Sequence, residues 1–404
     1  MVKAHSLLYA IYICLIVSII CGALLYFSTL YSQLNLYYNL NEELYIQNQS
    51  YVNFALENVD ENNIMSEDEQ TGVISFYENK PYGLLNLLNV KTCTKLDTII
   101  SVHLTGNYTN DKTCLFIANQ GNPFYFSGKV KLIGEKKLPT QRVQEKYINN
   151  EKNSFDSPGE IQLSQPDLPE LNPEIKLYFE KNTIVKQLKD IEKNSNSIYF
   201  NSFKNETVEI QLPGTILENI TIKGNFILHA KDSIYIKNTT VLEDVIIKSP
   251  KIIIEENFKG SMQLFATERI EIGEEAQLNY PSVLCLMSKT SEKRAIMVNE
   301  KAKIAGAIVL FHDEISKQNE DVVILKKGAL LTGEVYCTGK LMVEGIIHGS
   351  VYTNNVFHST PVSSYENCMV NSEIDITKRP SYFVSIPIFQ SKNKKNSGIF
   401  KKVL

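Results

Sequence analysis

Five acidic residues have the type and spacing that could support chemistry: Glu218, Asp232, Asp244, Glu255 and Glu271. Glycoside hydrolysis needs two carboxylates roughly 5–10 Å apart, one to protonate the leaving oxygen and one to act as base or nucleophile. Side chains on neighbouring coils of a stacked β-structure meet that requirement if they project from one face. The plainer reading is that an outward Glu beside an inward Ile is what any solvated β-face looks like, and we expect no catalytic residue among them.

Other chemistries have less support. The chain holds no G-x-x-x-x-G-K-[ST], no G-x-G-x-x-G, no H-E-x-x-H and no G-x-S-x-G. None of the six histidines, His5, His103, His229, His312, His348 and His358, lies at metal-ligand spacing from another. His312 and Asp313 are adjacent, but adjacency is not the geometry of an acid/base pair. We expect no metal and no cofactor. Cys14 and Cys21 read as small apolar residues of a helix. The remaining Cys93, Cys114, Cys285, Cys337 and Cys368 form no C-x-x-C pair. An oxidising compartment would permit a Cys93–Cys114 bridge, and the odd count leaves at least one thiol free or paired between chains.

The elements that would position these residues begin with an apolar run. Ser6 to Phe27 carries no Asp, Glu, Lys or Arg. As a helix it is about 33 Å long, enough for a hydrocarbon core of about 30 Å. Lys3 precedes it, and no acidic residue follows before Glu42. The positive flank predicts a single-pass anchor with its N-terminus cytoplasmic and the bulk of the chain periplasmic or otherwise extracytoplasmic. A cleaved signal peptide is the rival, but its apolar core is shorter and ends at a small-x-small site. Net charge is −4 and charged residues are 21 %, so nothing points to nucleic acid. The composition suits an exported bacterial-type protein, and the abundance of Asn, Ile and Lys has the look of an A·T-rich genome.

Beyond the anchor, positions 30, 34, 37, 41, 44, 48, 51 and 55 follow heptad spacing. Two readings stand: an amphipathic helix packed on its own domain, or a stalk that meets copies of itself or other envelope proteins through Leu30, Leu34, Tyr37, Leu44 and Tyr51. Glu57 to Gln70 is acidic and reads as a linker. Thr98–Leu104, Cys114–Ala118 and Phe124–Ile133 read as strands. Residues 149–173, with four prolines, read as loop, and Lys176–Asn194 has helical spacing.

The clearest pattern lies further on. Ile234/Ile236, Ile252/Ile254 and Ile270/Ile272 recur at 18-residue intervals. Phe226/Leu228, Val245/Ile247 and Met262/Leu264 form a second ladder. Leu331, Val335, Leu341, Val343, Ile347 and Val351 follow, punctuated by Gly333, Gly339, Gly345 and Gly349. A near-fixed period with Gly-marked corners predicts a parallel β-solenoid, in preference to an antiparallel sandwich. Residues 286–300 and 312–321 break the pattern and read as loops. The lysine-rich C-terminus reads as a solvated end.

The expected fold is therefore mainly β, with an N-terminal transmembrane and stalk helix, a β-rich middle region and a C-terminal parallel β-solenoid. The boundaries are a cytoplasmic N-terminus at 1–5, transmembrane helix 6–28, stalk 29–56, acidic linker 57–71, β-rich region 72–195, solenoid 196–360 and C-terminal extension 361–404.

The stretch AHSLLYAIYICLIV and the amphipathic helix after it resemble the N-termini of type IV pilins and type II secretion pseudopilins. Ala4 stands where a pilin would place Gly, and no Glu occurs before Glu42. The Gly-punctuated coils around Gly333–Val351 resemble bactofilins, which polymerise through β-solenoids. The overall layout resembles membrane-anchored proteins of Bacteroidetes. Together these imply a non-enzymatic membrane-anchored subunit of a bacterial envelope assembly, pilus-like or secretion-related. A glycan-binding or glycan-cleaving β-helix and a bactofilin-like polymer-forming scaffold are the alternatives.

Overall fold

The computed structural model describes residues 4–58, 65–68, 72–109, 111–148, 152–180, 186–187, 197–288, 294–312, 320–389 and 397–403. The chain divides into two compact units. The first holds the N-terminal helix with residues 61–78 and 90–101, and the second holds 79–89 and nearly everything from Val102 onward.

In the first unit one unbroken helix runs Ala4–Glu57, 54 residues. No proline interrupts it, and its one glycine, Gly22, faces open space. It is long and apolar enough to cross a membrane, with a mean hydropathy of 2.6 over its most apolar window, none of which is buried. Further along, Leu44, Asn48, Val52 and Ala55 are buried, a stripe at helical spacing. The acidic stretch read as a linker contains a strand, Met65–Asp68, which pairs antiparallel with the start of Val73–Tyr82. The rest of that stretch beyond Asn58 lies largely outside the described residues.

The second unit is a parallel solenoid. Its sheet of 24 strands is paired in parallel register apart from one antiparallel pair at Ile346–Ser359. Three columns of pairings run along the stack. The first joins Ser233–Ile236, Lys251–Ile254, Arg269–Ile272, Ala295–Val298 and Val322–Leu325. In it Ile234, Ile252 and Ile270 stand in register and are fully buried. The second column passes through Leu278, Ile304, Leu331 and Ile347. The third carries Ile247, Leu264, Leu284, Ile308, Val335 and Val351 in register. At the corner between the second and third columns Gly333 adopts φ +145°, and a Cβ there would lie 1.7 Å from the Gly306 carbonyl oxygen. Only glycine allows the coils to close up at that point.

The stack does not follow sequence order. Beyond Ile346–Ser359 the next coil is a composite. Its second column is Glu373–Asp375, where Ile374 pairs with Ile347 on one side and Leu132 on the other. Its third column is Thr113–Ile117, where Leu115 pairs with Val351 and Lys136. Two further coils follow from the region before the solenoid. Tyr125–Ser127, Lys129–Ile133 and Glu135–Leu138 make one, and Gln144–Glu145, Ser154–Asp156 and Ile161–Leu163 the other. The solenoid thus exceeds the expected 196–360, and residues 113–163 belong to it rather than to a separate β-rich region. The stretch read as loop supplies the outermost coil.

Other expectations need the same correction. A helix spans Pro173–Glu180, Lys186–Gln187 is a short strand, and the rest of the predicted helix lies outside the described residues. Strands Gln277–Ser288 and Ala295–Val298 enter the predicted loop at 286–300 from either side, and residues 289–293 between them lie outside the described residues. The C-terminus is not a free end: Ser397–Lys402 pairs antiparallel with residues 103–107, and Lys401 Nζ lies 2.8 Å from Glu243 and 2.7 Å from Asp244.

The third column is buried on both sides of its strands. Val283, Cys285, Met287 and Val309 point outward yet are fully buried. Tyr178 and Phe179 of the short helix meet Phe265, and Phe389 meets Tyr336 and Tyr352. Gln263 fastens the tip of the 79–89 hairpin: its Oε1 accepts from Leu84 N at 2.8 Å and its Nε2 donates to Tyr82 O at 2.8 Å.

Inward aliphatic side chains hold this stack. Replacing Ile254, 1 % exposed, by Asp should cost on the order of 4 kcal/mol or more, because a carboxylate would lie between apolar neighbours with no partner. Lys251 begins the same strand and makes a surface ion pair of 3.3 Å with Glu268, so Lys251→Gln should cost under about 1 kcal/mol. Denaturant unfolding of the two full-length variants should separate them by that margin. Equal midpoints would refute the inward assignment.

Candidate functional site

The five carboxylates singled out by spacing do not converge. Glu218 and Asp232 are exposed at turns. Asp244 is tied to Lys401 at 2.7 Å, Glu255 accepts from Asn238 N at 2.8 Å, and Glu271 pairs with Arg269 at 2.8 Å. Glu271 stacks on Ile253, whereas Glu255 lies beyond the end of that strand. Asp244, Glu255 and Glu271 are thus each held by a different partner, and Glu218 and Asp232 stand apart from them at the surface.

The residues proposed for a stalk interface separate into two sets. Leu30, Leu34 and Tyr37 are 41–49 % exposed, and the Tyr37 hydroxyl donates to Asp97 Oδ2 at 3.2 Å. Leu44 is fully buried, and Tyr51 meets the rings of Phe54 and Tyr77. From Leu44 onward the seam is therefore used within the unit. Asn48 pins it there. Its Nδ2 donates to Thr92 Oγ1 at 3.2 Å and to Val90 O at 3.4 Å, and its Oδ1 accepts from Ser101 Oγ at 2.7 Å. All seven cysteines are free thiols. The Cys93–Cys114 bridge that an oxidising compartment would permit is not formed: Cys114 is buried in the solenoid core, and Cys93 is half-buried in the other unit.

A polar cluster that sequence reasoning missed lies on the outer side of the third column. Glu334 is 6 % exposed; it accepts from Ser385 Oγ at 2.8 Å, and Arg379 Nη1 is 3.4 Å away. The Tyr352 hydroxyl donates to Asp111, whose Oδ1 also accepts from Thr113 N at 2.9 Å. Tyr280 donates to Val384 O at 2.7 Å, on the same covering segment as Ser385. Burial pushes the Glu334 carboxyl up to about 7, reinforced by nearby Asp111 and opposed by Ser385 and Arg379. In sequence Glu334 is one more polar residue in a strand. Only the segment that covers it makes it a buried acid.

Among the described residues no group of three or more His, Cys, Asp or Glu side chains is placed to hold a metal. Comparison with protein-family models, with curated proteins and with solved structures gives no match to the chain.

The raised pKa of Glu334 sets a pH dependence. The folded state binds the proton more tightly than the unfolded state, so the contribution is fully present below the ordinary Glu pKa of 4.5 and is lost as pH rises through about 7. A shift of this size corresponds to roughly 3 kcal/mol. Glu334→Gln keeps an acceptor for Ser385 and cannot titrate. Between pH 5 and pH 8 wild type should lose about 2–3 kcal/mol more unfolding free energy than the variant. Parallel pH profiles for the two proteins would contradict the assignment.

Proposed function

We propose that the protein is a membrane-anchored, non-enzymatic subunit of a bacterial envelope assembly. Its N-terminus lies in the cytoplasm and its folded body outside. The observation that carries this reading is the division of labour along one helix. The uncharged Ser6–Phe27 segment is exposed throughout, Leu30 and Leu34 beyond it are 41 % and 49 % exposed among the described residues, and the part from Leu44 is fastened by Asn48. A helix fastened within its own unit along one part and exposing apolar residues at Leu30 and Leu34 suits association with other membrane-borne helices. The likeness of the N-terminus to pilins and pseudopilins supports a pilus-like or secretion-related setting. The outermost coil, with strands of two and three residues around Pro158, offers little edge for strand addition and favours a closed body over an open-ended polymer.

Photo-crosslinkers at Leu30 or Leu34 of the full chain in its native membrane should give a discrete adduct, and one at Lys251 should not. Leu34→Glu should abolish the adduct without lowering the unfolding midpoint. Leu44→Glu should unfold the first unit. Full replacement of the native chain by an exported fragment lacking the helix would overturn the proposal.

A further inference from the structure

The composite coil leaves a crevice where its chain segments part. In the preceding coils the second column runs through a glycine straight into the third. In the composite coil that corner is cut: Glu373–Asp375 leaves through the turn Ile376–Lys378, and a separate segment enters at Thr113. The two diverging segments wall a cleft of 590 Å³, a size usual for small-molecule sites. Its position has a physical precedent, because crevices open where a sheet's connections depart in different directions. Gly134 and Gly159 line it, and a Cβ on Gly159 would lie 2.2 Å from the Gly134 carbonyl oxygen, so bare backbone approaches there.

The lining groups restrict what fits. Asp111, Glu135 and Glu160 line it together with Lys112 and Arg379. Three carboxylates repel a polyanion, and the described residues place no metal-binding cluster there. An apolar molecule would cover the Glu135 carboxylate without offering it a partner. Arg379 is held in place by Glu334 behind it and by the Phe383 ring, 5.2 Å from its guanidinium carbon. Asp111 is fixed by Tyr352 and Thr113. The Glu135 carboxylate makes no hydrogen bond or ion pair among the described residues. A lining that offers both carboxylate acceptors and cationic donors, beside the apolar Ile376, matches a neutral polyhydroxylated ligand whose hydroxyls both give and accept hydrogen bonds.

We propose that this cleft is a saccharide-binding site, which would attach the anchored body to glycan. The inference does not depend on the helix-mediated assembly proposed above.

The test uses the full chain in lipid nanodiscs, free of sugar detergents, with ligand-observed saturation-transfer NMR. Chitobiose and cellobiose are the saccharide probes, cadaverine the amine control and pyrophosphate the anion control. At least one disaccharide should show saturable transfer. Glu135→Gln and Lys112→Ala should each weaken it tenfold or more, and Lys251→Gln, elsewhere on the solenoid, should leave it unchanged. Transfer to neither disaccharide, transfer only to cadaverine or pyrophosphate, or equal affinity in all variants would overturn the proposal. None of these results would alter the crosslinking at Leu34.

Discussion

In-register stacking of inward aliphatic side chains is the constraint on which the solenoid depends. Ile252 is buried because Ile234 lies on one side of it and Ile270 on the other. No coil buries its own core residues, so stability is a property of neighbouring pairs and the ends of the stack are the exposed points. Here one end is extended by chain from elsewhere in the sequence. Thr113–Ile117 completes a coil begun by residues 368–375, and two more coils, of 125–138 and 144–163, continue the stack. These outer coils have progressively shorter strands and more exposed side chains, ending in Ile161–Leu163. The stack therefore ends on short, partly exposed strands, the last of which leaves Leu163 58 % exposed.

Polar side chains set the register of what packs outside this core. Gln263 answers one donor and one acceptor of the hairpin tip with its amide. Asn48 does the same for the long helix in the other unit, giving to Thr92 and Val90 and receiving from Ser101. An apolar seam tolerates sliding by a turn, whereas a buried amide loses its hydrogen bonds on any shift, at a cost of about 1–3 kcal/mol for each group left unpaired. The seam is thus fixed where it must bear on its own sheet, and Leu30 and Leu34 remain uncovered.

Much of this fold is legible in the chain because its signal is local and repeated. The 18-residue interval of the Ile pairs fixes both the coil length and the inward face, and the uncharged run to Phe27 marks the exposed half of the helix. What is not legible depends on contacts far apart in sequence. Leu115 and Val130 look like parts of an ordinary β-rich region, since nothing nearby states that they stack beyond Val351 and Ile374. Leu44 and Leu34 share one heptad pattern, yet only Leu44 is buried within the unit. Glu334 reads as solvated until the 379–389 segment covers it. Cys93 and Cys114 are close in sequence but belong to different units.

The composite coil is the central claim, and hydrogen exchange of the full chain with and without Ile374→Asp tests it most directly. Ile374 stands between Ile347 and Leu132 and is fully buried. In wild type the amides of 115–117 and 131–137 should exchange as slowly as those of 284–286. The substitution should release both segments while leaving 234–236 and 252–254 protected. Fast exchange of 115–117 and 131–137 in wild type, or protection there that ignores the substitution, would contradict the account.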